Sequence, residues 1–291
     1  MRGAKVPANY GPSPWQQTSW DARAAGNFIG GGMGGGLVVF AALSGAIPPV
    51  LSALMVAGLV SIGAGLLCVA LELGQPRRAF RVLRNPRTSW MAREAWTAVL
   101  LFPIGLGAAL GVAAMAWIAA ALALAFVYCQ ARLLQGAKGI PAWHQPWLSP
   151  LLVTTGLAEG GGVFLMTAPL HGAATTATVT LFITLVIARF ATWIGYRRRL
   201  ADGVALEVRV ALNAAGRVLL IAGTVSPLVL MAVAAFGGAS AMATASATLA
   251  GLLAAIAGAR TKLVIVTRAG YTQGYALAHL PVRGTRADPL G

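Results

Sequence analysis

The stretch Glu72-Leu73-Gly74-Gln75-Pro76-Arg77-Arg78-Ala79-Phe80-Arg81, continuing to Asn85-Pro86-Arg87-Thr88-Ser89-Trp90-Met91-Ala92-Arg93-Glu94, holds the residues best suited to chemistry. Glu72 and Glu94 flank a segment that carries six arginines. If one helix ends at Glu72 and its antiparallel neighbour begins at Glu94, the two carboxylates come to similar depth. A carboxylate pair at a membrane edge, with arginines beside it, can take up protons and orient a polar carbonyl. A quinone site needs this, since two electrons come from a redox partner and two protons must come with them. The same residues also have a plainer reading. Glu72 and Glu94 can neutralise arginines, Glu94 suits the positive end of a helix dipole, and loop arginines can mark topology or meet anionic lipid.

Other polar residues are sparse. Glu159, beside Gly160-Gly161-Gly162, falls deep in an apolar run, where an ionisable group is either a proton relay or a protonated acid bonded to a neighbouring helix. Asn27 reads as glue between helices, and Asp21 with Arg23 as an interfacial pair. His144, His171 and His279 fall in turns or tails, so no buried histidine pair is available for haem. Cys68 and Cys129 lie in apolar runs, which suits packing rather than a disulfide or metal site. Neither a phosphate-binding GxxxxGK[ST] loop nor a cysteine cluster occurs, so any metal centres carrying electrons must sit in other subunits.

The elements that position these residues follow from hydropathy. Of 291 residues, 58% are hydrophobic and 10% charged, with mean hydropathy +0.75 and formal charge +15. Charges cluster between long apolar runs, which excludes a soluble basic nucleic-acid binder. A crossing helix needs about 20 apolar residues. Eight are predicted, near 25–46, 50–72, 95–112, 114–133, 149–169, 173–195, 216–236 and 239–258, the third and fourth being divided near Gly107–Gly111. The turns near 47–49, 112–114, 170–172 and 237–239 carry no Lys or Arg, whereas the loops at 73–94, 132–148 and 196–217 and both tails carry many. Eight spans put all the basic loops on one side, and the positive-inside rule makes that side cytoplasmic, with both termini there.

The expected fold is therefore an all-α polytopic membrane protein of two four-helix bundles. A tail (1–22), a bundle (23–134), a loop (135–148), a second bundle (149–258) and a final tail (259–291) follow in order. Trp20, Trp90, Trp96, Trp143, Trp147 and Trp193 fall where the cytoplasmic interface is expected. Residues 1–20 are polar and show no cleavable leader, so the first span is expected to remain. Gly34-Gly35-Gly36-Leu37 and Gly160-Gly161-Gly162-Val163 hint at a duplicated four-helix unit, and the run Gly30–Gly36 permits a tight helix crossing or leaves room for an isoprenoid tail.

The segment from Leu73 to Glu94 resembles the membrane-anchor subunits of the DMSO reductase and polysulfide reductase type, the NrfD-like superfamily. Those anchors end one span in His-Leu-Gly-x-Pro-x-Arg-Ala and open the next with Ser-x-x-x-(Asn/Arg)-Glu. Leu73-Gly74, Pro76, Arg78-Ala79, Ser89 and Arg93-Glu94 match this pattern. The resemblance implies quinone binding by Arg78 and Glu94, with Glu72 standing where those anchors place a histidine implicated in menaquinol binding. It also implies an iron–sulfur ferredoxin-like partner, a molybdopterin catalytic partner and residence in a bacterial inner membrane. The ends of the core, Gln17 to Gly32 and Ala269 to Gly284, resemble one branch, the membrane subunit of phenylacetyl-CoA:acceptor oxidoreductase. Its substrate is a cytoplasmic CoA thioester and its acceptor is ubiquinone or menaquinone.

Three functions stay open on the sequence: a quinone-reactive anchor using Glu72, Arg78 and Glu94, with Glu159 as a possible relay; a secondary transporter; and a passive anchor.

Overall fold

The computed structural model describes residues 14–71, 82–200, 204–238 and 240–273. Among them the regular elements are all helical: α1 (Ala22–Leu43), α2 (Pro48–Ala70), α3 (Trp90–Ala109), α4 (Ala113–Gln135), α5 (Leu148–His171), α6 (Thr176–Arg199), α7 (Leu206–Leu220), α8 (Ser226–Phe236) and α9 (Ala241–Thr267). A π-helical turn, Ile221–Val225, runs α7 into α8 as one span. Seven spans are long and apolar enough to cross a bilayer, and α3, 20 residues with Arg93 and Glu94 near its start, is one more helix beside them. The expected all-α polytopic architecture is observed among the described residues.

The four uncharged turns share one device. Each holds a glycine with positive φ: Gly45 (62°), Gly111 (102°), Gly172 (62°) and Gly238 (59°). A side chain in that conformation is strained, so glycine lets each helix reverse within a few residues. Gly111 lies between α3 and α4, at the division expected near Gly107–Gly111. Polar side chains cap the starts of three helices, α6 and α9 after glycine turns and α3 after the basic segment. Ser89 accepts from Ala92 N at α3, Thr175 from Thr178 N at α6, and Ser240 from Ala243 N at α9.

At the opposite end the first and last described segments meet. Gln17 N donates to Gly270 O at 2.8 Å and Thr272 N to Trp15 O at 2.9 Å.

Helix α1 is the centre, packed against α2, α4, α5 and α9. Association in lipid depends on close packing rather than on hydrophobic drive, and the glycines supply it. A Cβ on Gly36 would lie 2.6 Å from Gly156 O, and one on Gly30 would lie 2.8 Å from Ser61 O. The two glycine runs that hint at duplication thus face each other across α1 and α5, with Gly160 against the Gly36 backbone.

Several boundaries and placements differ from expectation. The seventh span begins at Leu206 instead of near 216, which brings Glu207 and Arg209, expected in the loop 196–217, into the first turn of α7. Helix α3 starts at Trp90 instead of near 95, because Ser89 caps it there. Helix α9 continues to Thr267 instead of stopping near 258, so Lys262, expected in a cytoplasmic tail, is inside a helix and buried. Trp143 and Trp193 are also buried rather than interfacial. The Trp143 indole N–H donates to Ile265 O at 2.8 Å, and its ring lies 5.2 Å from that of Trp20. A satisfied N–H lets the large ring pack inside the bundle end.

Candidate functional site

Glu94 comes from the start of α3, Asn27 from α1 and Gln130 from α4. Glu94 faces inward at 4% exposure, and Asn27 Nδ2 donates to its Oε1 at 3.1 Å. Gln130 Nε2 donates to the backbone oxygen of Asn27 at 3.0 Å, which ties α4 to the same point. Gly31 makes this possible, because a Cβ there would run into the Gln130 amide. Asn27 Oδ1 is buried and accepts no hydrogen bond. The Glu94 carboxyl thus faces the side-chain amides of Asn27 and Gln130, with a free buried acceptor beside it, an arrangement chemically able to exchange a proton. Glu72 and Arg78 lie outside the described residues. Leu71, just before Glu72, accepts from Arg23 Nη1 at 3.4 Å, and Arg23 also pairs with Asp21 at 2.9 Å.

Deeper in the bundle is a second polar group. Glu159 on α5 is wholly buried and forms an ion pair with Lys262 of α9, Nζ to Oε2 at 2.7 Å. Lys262 Nζ also donates to Phe28 O of α1 at 2.8 Å. Glycine again clears the space: a Cβ on Gly32 would strike the Lys262 ammonium, and one on Gly258 would lie 2.7 Å from Glu159 Oε1. An isolated charge at this depth is very costly, so pairing with Lys262 is what makes it tolerable, while Glu159 Oε1 accepts no hydrogen bond among the described residues.

Arg189 of α6 is the fourth buried charged residue among those described. Its Nη1 donates to Ala254 O at 2.8 Å and its Nη2 to Gly223 O. Gly223 lies in the π-turn, and Pro227, four residues on, has no N–H with which to bond that carbonyl. The guanidinium takes the place of the missing donor.

The two groups approach each other. A cavity of about 10 Å³, room for one water, is lined by Phe28, Gly32, Val127, Gln130, Ala131, Leu152 and Lys262. Gln130 belongs to the Glu94 nest and Lys262 to the deeper pair.

Sequence reading singled out Glu94, Glu159 and Asn27 but not Lys262, Arg189 or Gln130. Two of the missed residues carried a signal. Arg189 stands inside the sixth predicted span, and Lys262 follows Gly258 by four residues, one helical turn.

These features define a multi-pass helical membrane protein with buried polar side chains gathered inside the bundle. The sequence profile described as DMSO reductase anchor subunit (DmsC) matches residues 23–219, and the chain belongs to that family. It is thus a membrane anchor subunit of a molybdenum oxidoreductase, a class that works with catalytic and iron–sulfur subunits in a complex. A search of curated proteins returned no match.

Proposed function

We propose that this anchor is quinone-reactive: it passes electrons between the iron–sulfur partner and membrane quinone at the end of the bundle where α2 and α3 meet. The observation that carries this reading is the inward carboxylate of Glu94, held by Asn27 beside an unpartnered Asn27 Oδ1. Glu94 and Glu72 exchange the protons that quinone chemistry requires, and Arg78 orients the quinone carbonyl. The partner supplies the electrons, while this chain supplies shape and protons. Glu159 serves as a possible relay behind them.

The exposed Arg84, Arg87, Lys138, Arg198, Arg199, Arg209 and Arg268 make a basic surface suited to an acidic docking face on the iron–sulfur subunit. On this reading that surface and both termini are cytoplasmic, in a bacterial inner membrane, since the glycine turns opposite are too short to hold a partner. A cytoplasmic CoA thioester such as phenylacetyl-CoA suits a catalytic subunit on that side, with ubiquinone or menaquinone as acceptor.

Glu94→Gln tests the proposal. Quinone-linked turnover should fall by roughly 10²-fold, the scale of a positioned acid–base group. Complex assembly and turnover with an artificial dye should persist. Unchanged quinone turnover would leave a passive anchor.

A further inference from the structure

At the open end of the α3–α4 hairpin, away from the Gly111 turn, two arginines share one aromatic ring. The Arg93 guanidinium carbon lies 4.2 Å from the centroid of Trp90, and that of Arg132 lies 5.0 Å from it. The rings of Trp90 and Tyr128 meet edge to face at 5.8 Å. Arg93 donates to Pro86 O at 2.8 Å and to Arg87 O at 2.7 Å, which leaves three of its five N–H groups. Arg132 makes no side-chain hydrogen bond or ion pair among the described residues, and its Nε is shut away from solvent. Glu94, the carboxylate nearest in sequence to Arg93, bonds to Asn27 inside the bundle.

Two cations held against one indole, with a buried donor unmet, suit an anion with several oxygens. The position specifies its source. Arg132 is in the last turn of α4 and Arg93 in the first turn of α3, at the end of both spans. Below them the outward face is apolar: Tyr128 (45% exposed) and Leu124 (40%) stand one and two turns from Arg132 on α4, and Leu100 (50%) two turns from Arg93 on α3. A phosphodiester at the arginines would therefore sit directly above acyl chains on that face.

We propose that the Trp90–Arg93–Arg132 corner binds the headgroup phosphate of one anionic phospholipid, with its acyl chains along the α3–α4 surface. Paired guanidinium groups suit phosphate because their donors are planar and fixed. The proposal is independent of the quinone reading.

The test is native mass spectrometry of the purified complex titrated with phosphatidylglycerol or phosphatidylcholine. The expected result is one phosphatidylglycerol retained per anchor chain and no specific phosphatidylcholine. Retention should weaken by about fivefold in each of Arg93→Gln and Arg132→Gln. Equal retention of the two lipids by the unaltered protein would overturn the proposal, whether or not the variants fold. Phosphatidylglycerol retention unchanged in both variants would overturn it too. Displacement of the lipid by equimolar inorganic phosphate would show a free-phosphate site instead. Loss of the iron–sulfur subunit from either variant, with lipid retention intact, would assign the arginines to the partner.

Discussion

Glu159 and Lys262 stand 103 positions apart and meet as a buried ion pair at 2.7 Å, with the lysine also bonded to Phe28 O. Three helices, α1, α5 and α9, are joined at that one ammonium. The contact places a charge pair inside a membrane bundle where neither partner is stable alone.

Lys262→Met leaves Glu159 buried without its cation, which should destabilise the bundle by about 3–5 kcal/mol. Removing both charges, with Glu159→Gln added to Lys262→Met, should recover much of that loss. Thermal melts of the two variants in the same detergent measure the difference. A double variant no more stable than Lys262→Met alone would mean that the pair is not what Lys262 contributes.

The α1–α5 crossing should be as sensitive to glycine replacement as its geometry implies. Gly160→Val pushes a side chain into the Gly36 backbone and should cost about 1–3 kcal/mol, or prevent assembly. Gly139→Ala, with nothing within 4 Å of its added carbon, should be nearly neutral. Comparable melting temperatures for the two variants would show that the helices separate without penalty.

Arg189 and Pro227 make a linked prediction. Arg189→Met strips the donor from Gly223 O and Ala254 O, at a cost of about 1–3 kcal/mol. Pro227→Ala restores a backbone N–H four residues from Gly223, so the double variant should melt above Arg189→Met. If Pro227→Ala brings no rescue, the freed carbonyl is not the reason for the arginine.

Asn27→Leu tests the nest around Glu94. Loss of one hydrogen bond to a charged group is worth about 1.5 kcal/mol, or roughly tenfold. Quinone-linked turnover should fall by that factor while dye-linked turnover holds. A parallel fall in both assays would mean that Asn27 only ties α1, α3 and α4 together.

Much of the architecture was legible from residue types in order. Apolar runs of spanning length and the basic and uncharged loops alternating between them were enough to place the helices and the α3–α4 reversal near Gly107–Gly111. These features report the cost of moving each segment from water to lipid and the backbone freedom a tight turn needs, and both are local properties. The Leu73–Glu94 segment likewise carried the family resemblance in its order alone.

The partners inside the membrane were decided only by the tertiary structure. Hydropathy recorded Glu159 as a costly residue but said nothing of Lys262, because the two become neighbours only when α5 and α9 pack. The end of α9 went unseen for the same reason: Lys262 looks like a tail residue until a carboxylate and a carbonyl receive its charge. Glu94 looked like a residue of the membrane edge, and the rotation of α3 against α1 turns it inward onto Asn27. Spans are set by each segment's own transfer energy, whereas charge pairing depends on helix rotation, depth and the glycines that let backbones close in.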